Sequence, residues 1–143
     1  MNVLMLLSPK SDVKYLYDTY SLRQGLEIMR IHGYTALPVI DGDGKYVGAV
    51  SEGDFLWHIL DGDGGNIIKA CEDEKITSII RKDLAPAVNV SVDMESLVDQ
   101  TMKQNFVPVV DDRGTFIGIV TRQSIIKMLR REAKITFTDG RGV

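Results

Sequence analysis

The stretch from Leu37 to Asp54, LPVIDGDGKYVGAVSEGD, occurs twice in this chain of 143 residues. Seventy residues later, Val107 to Ser124 reads VPVVDDRGTFIGIVTRQS, and the two copies align without a gap. They share one proline, two valines, one aspartate and two glycines, at six matching positions. A repeat of fixed period is typical of a fold built from two copies of one supersecondary unit.

Each copy has the pattern of a β-hairpin that leads into a helix. In the first copy, two runs rich in apolar and branched residues, 35–40 and 46–50, flank the turn sequence Asp-Gly-Asp-Gly. In the second copy the hairpin spans about 106–120 and turns at residues 112–114. Ser51 follows the first hairpin and offers an N-cap oxygen to the next helix.

A strand and a helix are predicted before each hairpin. In the first half, residues 13–17 indicate a short strand, and apolar residues at helical spacing over 22–29 indicate a helix that ends at Gly33. In the second half, residues 87–92 indicate the strand and residues 93–102 indicate a helix capped by its first aspartate.

These elements predict the α/β class, in its α+β form, with two β-α-β-β-α repeats that share one core. The first repeat and its linker take residues 1–75, and the second repeat and its C-terminal tail take residues 76–143. Residues 61–75 are Gly-rich and then acidic, which is typical of a connector. The last helix is expected to end at the basic pair 130–131, before a frayed tail over 136–143.

The composition excludes several classes of function. A net charge of −3 supplies no general attraction to nucleic acid. The apolar run VLMLL near the N-terminus is too short for a signal sequence or a membrane span, and we expect it to dock into the core or a partner. The single cysteine, Cys71, excludes an intrachain disulfide and fits a reducing compartment. We therefore expect a cytoplasmic protein without nucleic-acid or membrane partners.

No metal site or catalytic motif is predicted. Asp61–Glu72 superficially resembles a calcium-binding loop, but Asn66 replaces the glycine of its sharp turn and Gly65 brings no ligand, so a polar linker is favoured. His32 and His58 stand alone in the sequence, without metal-ligand spacing. Because no nucleophile-base order, phosphate loop or dinucleotide fingerprint is present, we predict no enzyme activity and no cofactor.

The repeated pattern resembles the cystathionine β-synthase (CBS) domain. Its features are an apolar residue before Pro-Val-Val/Ile-Asp, a glycine turn, and Gly-apolar-Val-Ser/Thr at the start of a helix. Two such repeats in tandem resemble a CBS pair, or Bateman module, over about residues 13–131. The resemblance implies a pseudo-twofold pair of repeats that binds AMP, ADP, ATP or S-adenosylmethionine in the cleft between them. It also implies a stand-alone regulatory protein that senses energy or metabolite levels.

The resemblance also assigns site residues by position. Ser51 and Asp54 correspond to the phosphate and ribose partners of the first copy, and Thr121 and Arg122 correspond to phosphate partners in the second. Ser124 stands where the pattern has aspartate, so we expect one asymmetric site that takes its ribose contact from Asp54. The residues implied to contact the ligand are Thr35, Ala36, Leu37, Pro38, Ser51, Asp54, Asn105, Phe106, Val107, Pro108, Thr121, Arg122 and Ser124.

Two alternatives to a ligand site remain open. Helix capping by itself accounts for Ser51, Asp54 and Thr121. A ligand-free dimerisation scaffold is the second alternative, and Glu52 and Ser124 favour it. In either case we expect a homodimer, with the apolar faces of the helices that follow the hairpins, including Trp57 and Met128, exposed for association. The regulated protein partner is not identified by the sequence.

Overall fold

The computed structural model of the protein describes residues 2–62 and 65–140, with side chains up to residue 133. In this part of the chain, seven short strands form two sheets and five α-helices pack against them. The strands are β1 (Ser8–Pro9), β2 (Leu16–Tyr17), β3 (Ala36–Ile40), β4 (Tyr46–Ser51), β5 (Val88–Asn89), β6 (Phe106–Val110) and β7 (Phe116–Thr121). The helices are α1 (Leu22–His32), α2 (Glu52–Leu60), α3 (Ile67–Asp73), α4 (Met94–Lys103) and α5 (Arg122–Gly140), with 3-10 turns at Val3–Met5, Lys10–Asp12 and Ile76–Ser78.

The two sheets repeat one hydrogen-bonding pattern. In the first sheet β2 runs parallel to β3, and β3 is antiparallel to β4. In the second sheet β5, β6 and β7 pair in the same way. The hairpin registers, Ala36 opposite Ser51 and Phe106 opposite Thr121, correspond at the offset of the repeat. The predicted class and the β-α-β-β-α repeats are therefore confirmed.

The two hairpins meet at a pseudo-twofold axis. The Tyr46 N–H donates to the Gly114 carbonyl at 3.1 Å, and the Phe116 N–H donates to the Gly44 carbonyl at 2.9 Å. The rings of Tyr46 and Phe116 stack with their centroids 6.2 Å apart. Because residues at matching positions contact each other reciprocally, the repeats are related by an approximate twofold rotation.

The segment that leads into each repeat adds an edge to the sheet of the other repeat. β1 pairs with β7, with Ser8 opposite Ile119. Arg81 exchanges two backbone hydrogen bonds with Ala49 of β4, each of 3.0 Å. Since Ala49 and Ile119 are matching positions, Ser8 and Arg81 hold corresponding places. The predicted boundary at residue 75 stays a prediction, but these contacts cross it.

The apolar residues form two cores, one for each sheet, so the expectation of one core shared by both repeats is wrong. The first core includes Leu22, Phe55 and also Ile76, which lies beyond the predicted boundary. The second core includes Leu97 and Val3, whose side chain is fully buried. The expectation that the N-terminal apolar run docks into the core is therefore confirmed.

The helix caps follow the sequence closely. Ser21 and Gln24 form a capping box at the start of α1, and Gly33 ends the helix with φ of 68°. Asp93 caps α4 by accepting a hydrogen bond from the Ser96 N–H at 2.7 Å. The side chains of Ser21, Gln24 and Asp93 each accept a hydrogen bond from a backbone N–H that has no partner within the helix.

Three predictions about elements are wrong. The connector predicted over 61–75 contains α3, because Asn66 caps the first turn of this helix and Cys71 packs into the first core. The last helix continues past the basic pair 130–131 to Gly140, since no proline or glycine interrupts it earlier. The frayed tail is therefore helical to residue 140, and residues 141–143 lie outside the described part. β2 and β5 contain two residues each, fewer than the runs that predicted them.

The apolar face proposed for dimerisation is only partly exposed. Trp57 has 65% of its surface exposed, but Met128 has only 5% because it packs into the interior. The prediction for Met128 is therefore wrong. No helix in the described ranges combines the length and apolar character that crossing a membrane requires.

Candidate functional site

A cavity of about 730 Å³ lies between the two repeats. Its walls come from the starts of β3 and β6, the end of β7, and the segments that lead into each repeat. The lining residues are Leu7, Ser8, Pro9, Asp12, Val13, Lys14, Tyr34, Thr35, Ala36, Leu37, Pro38, Leu84, Ala85, Lys103, Gln104, Asn105, Phe106, Ile119, Thr121 and Arg122. The volume falls within the range of about 300–1,000 Å³ that is usual for small-molecule sites.

The cavity brings together eight of the thirteen predicted site residues. They are Thr35, Ala36, Leu37, Pro38, Asn105, Phe106, Thr121 and Arg122. The other five, Ser51, Asp54, Val107, Pro108 and Ser124, do not line it. In each repeat, the residue before the first hairpin strand is hydrogen-bonded to the first residue of the helix that follows the hairpin. The Glu52 N–H donates to the Thr35 carbonyl at 2.9 Å, and the Arg122 N–H donates to the Asn105 carbonyl at 3.0 Å.

Thr121 both caps a helix and lines the cavity. Its hydroxyl oxygen accepts a hydrogen bond from the Ser124 N–H at 3.1 Å and lies 2.7 Å from the Ser124 hydroxyl oxygen. Ser124 therefore holds the Thr121 hydroxyl without lining the cavity itself. The capping explanation is correct for Thr121, and it does not remove the residue from the site. The start of α5 places backbone N–H groups and the positive end of the helix dipole at this wall.

Arg122 is held in position by α4. Its Nε donates to the Thr101 carbonyl at 2.7 Å, and Thr101 is itself buried and donates its hydroxyl to the Val98 carbonyl at 2.7 Å. One of the five N–H donors of the guanidinium is used in this way. The side chain is thereby fixed at the cavity wall with donors to spare.

The cavity is more basic than the chain as a whole. Three cationic side chains line it, Lys14, Lys103 and Arg122, against one carboxylate, Asp12. Within the described residues, none of the three forms an ion pair with a carboxylate. In a protein with a net charge of −3, this cluster concentrates positive potential at one place and favours an anionic ligand.

Asp54 lies outside this cavity. One carboxylate oxygen accepts hydrogen bonds from the Ser51 N–H at 2.8 Å and the Ser51 hydroxyl at 3.0 Å. The other oxygen lies 2.9 Å from Nε of Arg81. The side chain of Asp54 is 15% exposed. The structure therefore does not place Asp54 beside Thr121 and Arg122, where the single asymmetric site required it.

Sequence reasoning missed several residues of the cavity. Lys103 and Gln104 come directly before the predicted wall at Asn105, and their position next to it was an available signal. Lys14 and Ser8 gave no signal, because they reach the cavity only through the crossing of the leading segments.

A second cavity of about 640 Å³ lies between α2 and α3, and none of the predicted site residues lines it. His58 lines this cavity, and its half-buried side chain has Nε2 2.5 Å from a carboxylate oxygen of Glu74. Burial raises the pKa of the Cys71 thiol, which also lines the cavity. Among the described residues, no group of three or more His, Cys, Asp or Glu side chains is placed to hold a metal ion.

The segment that superficially resembles a calcium site is helical over its second half, where residues 67–73 form α3. Residues 63 and 64 of the segment lie outside the described ranges. Glu72, the last acidic position of the pattern, pairs with Arg23 instead.

The CBS domain family model matches residues 6–61 and 76–131. The chain belongs to the CBS domain family. The predicted tandem CBS pair is therefore confirmed, with one domain in each repeat. The two matches cover the hairpins, the helices that follow them and the segments that lead into each repeat.

Solved structures of CBS-pair proteins are similar to the chain over nearly its whole length. A structure of CbpB in complex with c-di-AMP is 25% identical, with a TM-score of 0.87 over 97% of this chain and 90% of that one. CbpB of Listeria monocytogenes, also in complex with c-di-AMP, is 26% identical, with a TM-score of 0.81 over 92% of this chain and 97% of that one.

Curated relatives are similar only over their CBS region. Inosine-5'-monophosphate dehydrogenase of Methanocaldococcus jannaschii is 29% identical over 124 residues, which are 83% of this chain and 22% of that enzyme. The chain spans less than a quarter of the length of the first three curated relatives. These similarities therefore concern the CBS pair and not the catalytic parts of those proteins.

Proposed function

We propose that the protein is a non-catalytic regulatory module that binds an adenine nucleotide in the cavity between its repeats. The observation that carries the proposal is the convergence of the Thr121 hydroxyl and three cationic side chains, Lys14, Lys103 and Arg122, on one cavity. The parts of the cavity wall at the starts of β3 and β6 are largely uncharged, and they are suited to a flat purine ring.

The charge of the cavity ranks the ligands that the sequence implied. AMP, ADP and ATP carry phosphates that the three cations would stabilise, whereas S-adenosylmethionine carries a positive sulfonium that they would repel. We therefore place S-adenosylmethionine last. The c-di-AMP in the structures of CbpB adds a further candidate, with two phosphate groups.

The position of Asp54 favours c-di-AMP among the nucleotides. The ribose partner implied by the resemblance, Asp54, lies outside the cavity, and the carboxylate that does line it, Asp12, comes from the segment that leads into the first repeat and not from the start of a helix after a hairpin. A 3′,5′-linked cyclic dinucleotide has no vicinal diol, because each 3′ oxygen is esterified. The absence of Asp54 therefore costs this ligand less than it costs AMP or ATP, and we propose c-di-AMP as the preferred ligand.

Calorimetric titration with c-di-AMP, AMP, ADP, ATP and S-adenosylmethionine tests the proposal. Arg122→Gln should weaken nucleotide binding by about 10- to 100-fold, because a hydrogen bond to a charged group contributes about 1.5–3 kcal/mol. Glu52→Gln is the matched control, since Glu52 holds the corresponding position in the first repeat and does not line the cavity. A parent protein that gives no heat with any of the five compounds would contradict the proposal.

We further propose that ligand binding acts through association with a second copy of the chain or with a regulated protein in the cytoplasm. Trp57 and Leu60 of α2 and Met102 of α4 are 65%, 62% and 74% exposed, so these large apolar side chains are available to a second copy or to a protein partner. The same exposure favours the second candidate, a scaffold that needs no ligand. Sedimentation of the parent and of Trp57→Glu, with and without nucleotide, separates the two, because only a regulatory module changes its association when nucleotide is added.

A further inference from the structure

The two clefts related by the pseudo-twofold axis differ in the charged residues at matching positions. We call the cavity at Thr121 the open cleft, and the corresponding place at Ser51 the closed cleft. Ser8 lies opposite Ile119 beside the open cleft, and Arg81 lies opposite Ala49 beside the closed cleft. Ser8 and Arg81 therefore hold corresponding positions on the two leading segments.

In the closed cleft the chain satisfies its own carboxylate. Asp54 accepts two hydrogen bonds from Ser51, and its remaining oxygen lies 2.9 Å from Nε of Arg81. Three of about four acceptor positions on the carboxylate are then occupied by groups of the protein. The matching pair in the open cleft is Ser8 and Ser124, which carry no charge.

We propose that Arg81 closes the second cleft, so that the protein binds one ligand molecule per chain, in the open cleft. This inference rests on the proposed nucleotide binding and deepens it by assigning the residue that sets the stoichiometry. The guanidinium neutralises Asp54 and occupies the place from which a ligand hydroxyl would reach the carboxylate. The two backbone bonds to Ala49 fix the backbone of Arg81 beside β4, and from there its side chain, which is 46% exposed, reaches Asp54.

The closed cleft also has the wrong charge for a phosphate once Arg81 is removed. Glu52 stands where the open cleft has Arg122, and Asp54 stands where it has Ser124. A vicinal diol without a phosphate is therefore the chemistry that a freed Asp54 would accept. Adenosine has this diol and no charge, so it is the suitable probe for the closed cleft, whereas c-di-AMP probes the open one.

Arg81→Ser, which installs the residue of the open cleft, is the decisive variant. We expect the parent to bind one equivalent of c-di-AMP per chain in calorimetry. We expect Arg81→Ser to bind the same single equivalent with unchanged affinity and to bind adenosine at least tenfold more tightly than the parent does. The double variant Arg81→Ser with Asp54→Asn should lose this gain, and Arg81→Lys should show little of it because the charge is kept.

Three results would overturn the inference. Two equivalents of c-di-AMP on the parent, or no gain of adenosine binding in Arg81→Ser, would overturn the inference. A loss of c-di-AMP binding in Arg81→Ser would also overturn it, because Arg81 would then be a ligand contact. If the parent binds no nucleotide but Arg81→Ser gains adenosine, the proposed function fails while the closure by Arg81 stands. Thermal unfolding checks that the variants Arg81→Ser and Arg81→Gln are folded. Neither substitution removes the backbone hydrogen bonds to Ala49.

Discussion

Gly48 allows the segment at Arg81, which leads into the second repeat, to pack closely on β4. Its φ is 152°, and a Cβ atom there would lie 2.6 Å from Ile80 Cγ2 and 2.9 Å from the Arg81 carbonyl oxygen. In Gly48→Ala the Arg81 segment must move away and lose its two backbone hydrogen bonds to Ala49, at about 1 kcal/mol each. Backbone strain adds about 1–3 kcal/mol, so the total loss of stability should be about 3–5 kcal/mol.

Gly114→Ala is the matched control for this substitution. Gly114 has φ of 81°, and no atom lies within 4 Å of the position its Cβ would take. It should therefore show only the strain of a left-handed residue, about 1–2 kcal/mol. Urea unfolding of both variants and the parent measures the difference. A Gly48→Ala variant that is no less stable than Gly114→Ala would refute the close packing of the Arg81 segment on β4.

Three further predictions concern other parts of the chain. The raised pKa of Cys71, caused by burial, predicts slow reaction with a disulfide reagent at pH 8 in the native protein and fast reaction after unfolding; equal rates would contradict it. Hydrogen bonds from the Thr115 and Arg113 N–H groups lower the pKa of Asp111, so their stabilisation is present above the unfolded value of about 3.9 and is lost as pH falls through the folded pKa. Asp111→Asn should flatten this acid dependence in urea unfolding between pH 3 and 6, and an unchanged slope would argue against it. Val3→Ala should cost about 2 kcal/mol in urea unfolding, whereas Met5→Ala, at a side chain that is 70% exposed, should cost much less.

The sequence was sufficient for the elements that carry a local pattern. The two hairpins and the cap at Asp93 follow from apolar runs, turn residues and capping oxygens that are close together in the chain. Tyr46 and Phe116 occupy matching positions of the repeat, and the structure shows that their rings contact each other.

The parts that could not be predicted depend on contacts between distant residues. β1 has only two residues, too few for any period to be recognised, and it pairs with a strand more than a hundred residues away. The same crossing brings Lys14 to the open cleft. The state of Asp54 depends on Arg81, which lies 27 residues further along the chain and gave no sign of its role in the local sequence.

Burial explains the remaining differences. Trp57 and Met128 follow corresponding hairpins and were expected on the same exposed face, yet only Trp57 is exposed. α5 turns Met128 toward the interior, where the second repeat is packed. Because a helical pattern indicates an apolar side but not which neighbour covers it, the sequence did not distinguish a core face from a docking face.

A crystal structure of the protein with c-di-AMP would show where the ligand binds and how many molecules are bound. We expect one ligand molecule per chain in the open cleft, with phosphate oxygens within hydrogen-bonding distance of Thr121 and Arg122 and a purine ring against the start of β3 or β6. We also expect Arg81 to stay paired with Asp54. A ligand bound in the cavity between α2 and α3, or at Asp54 with Arg81 displaced, would show that the proposed binding site is wrong.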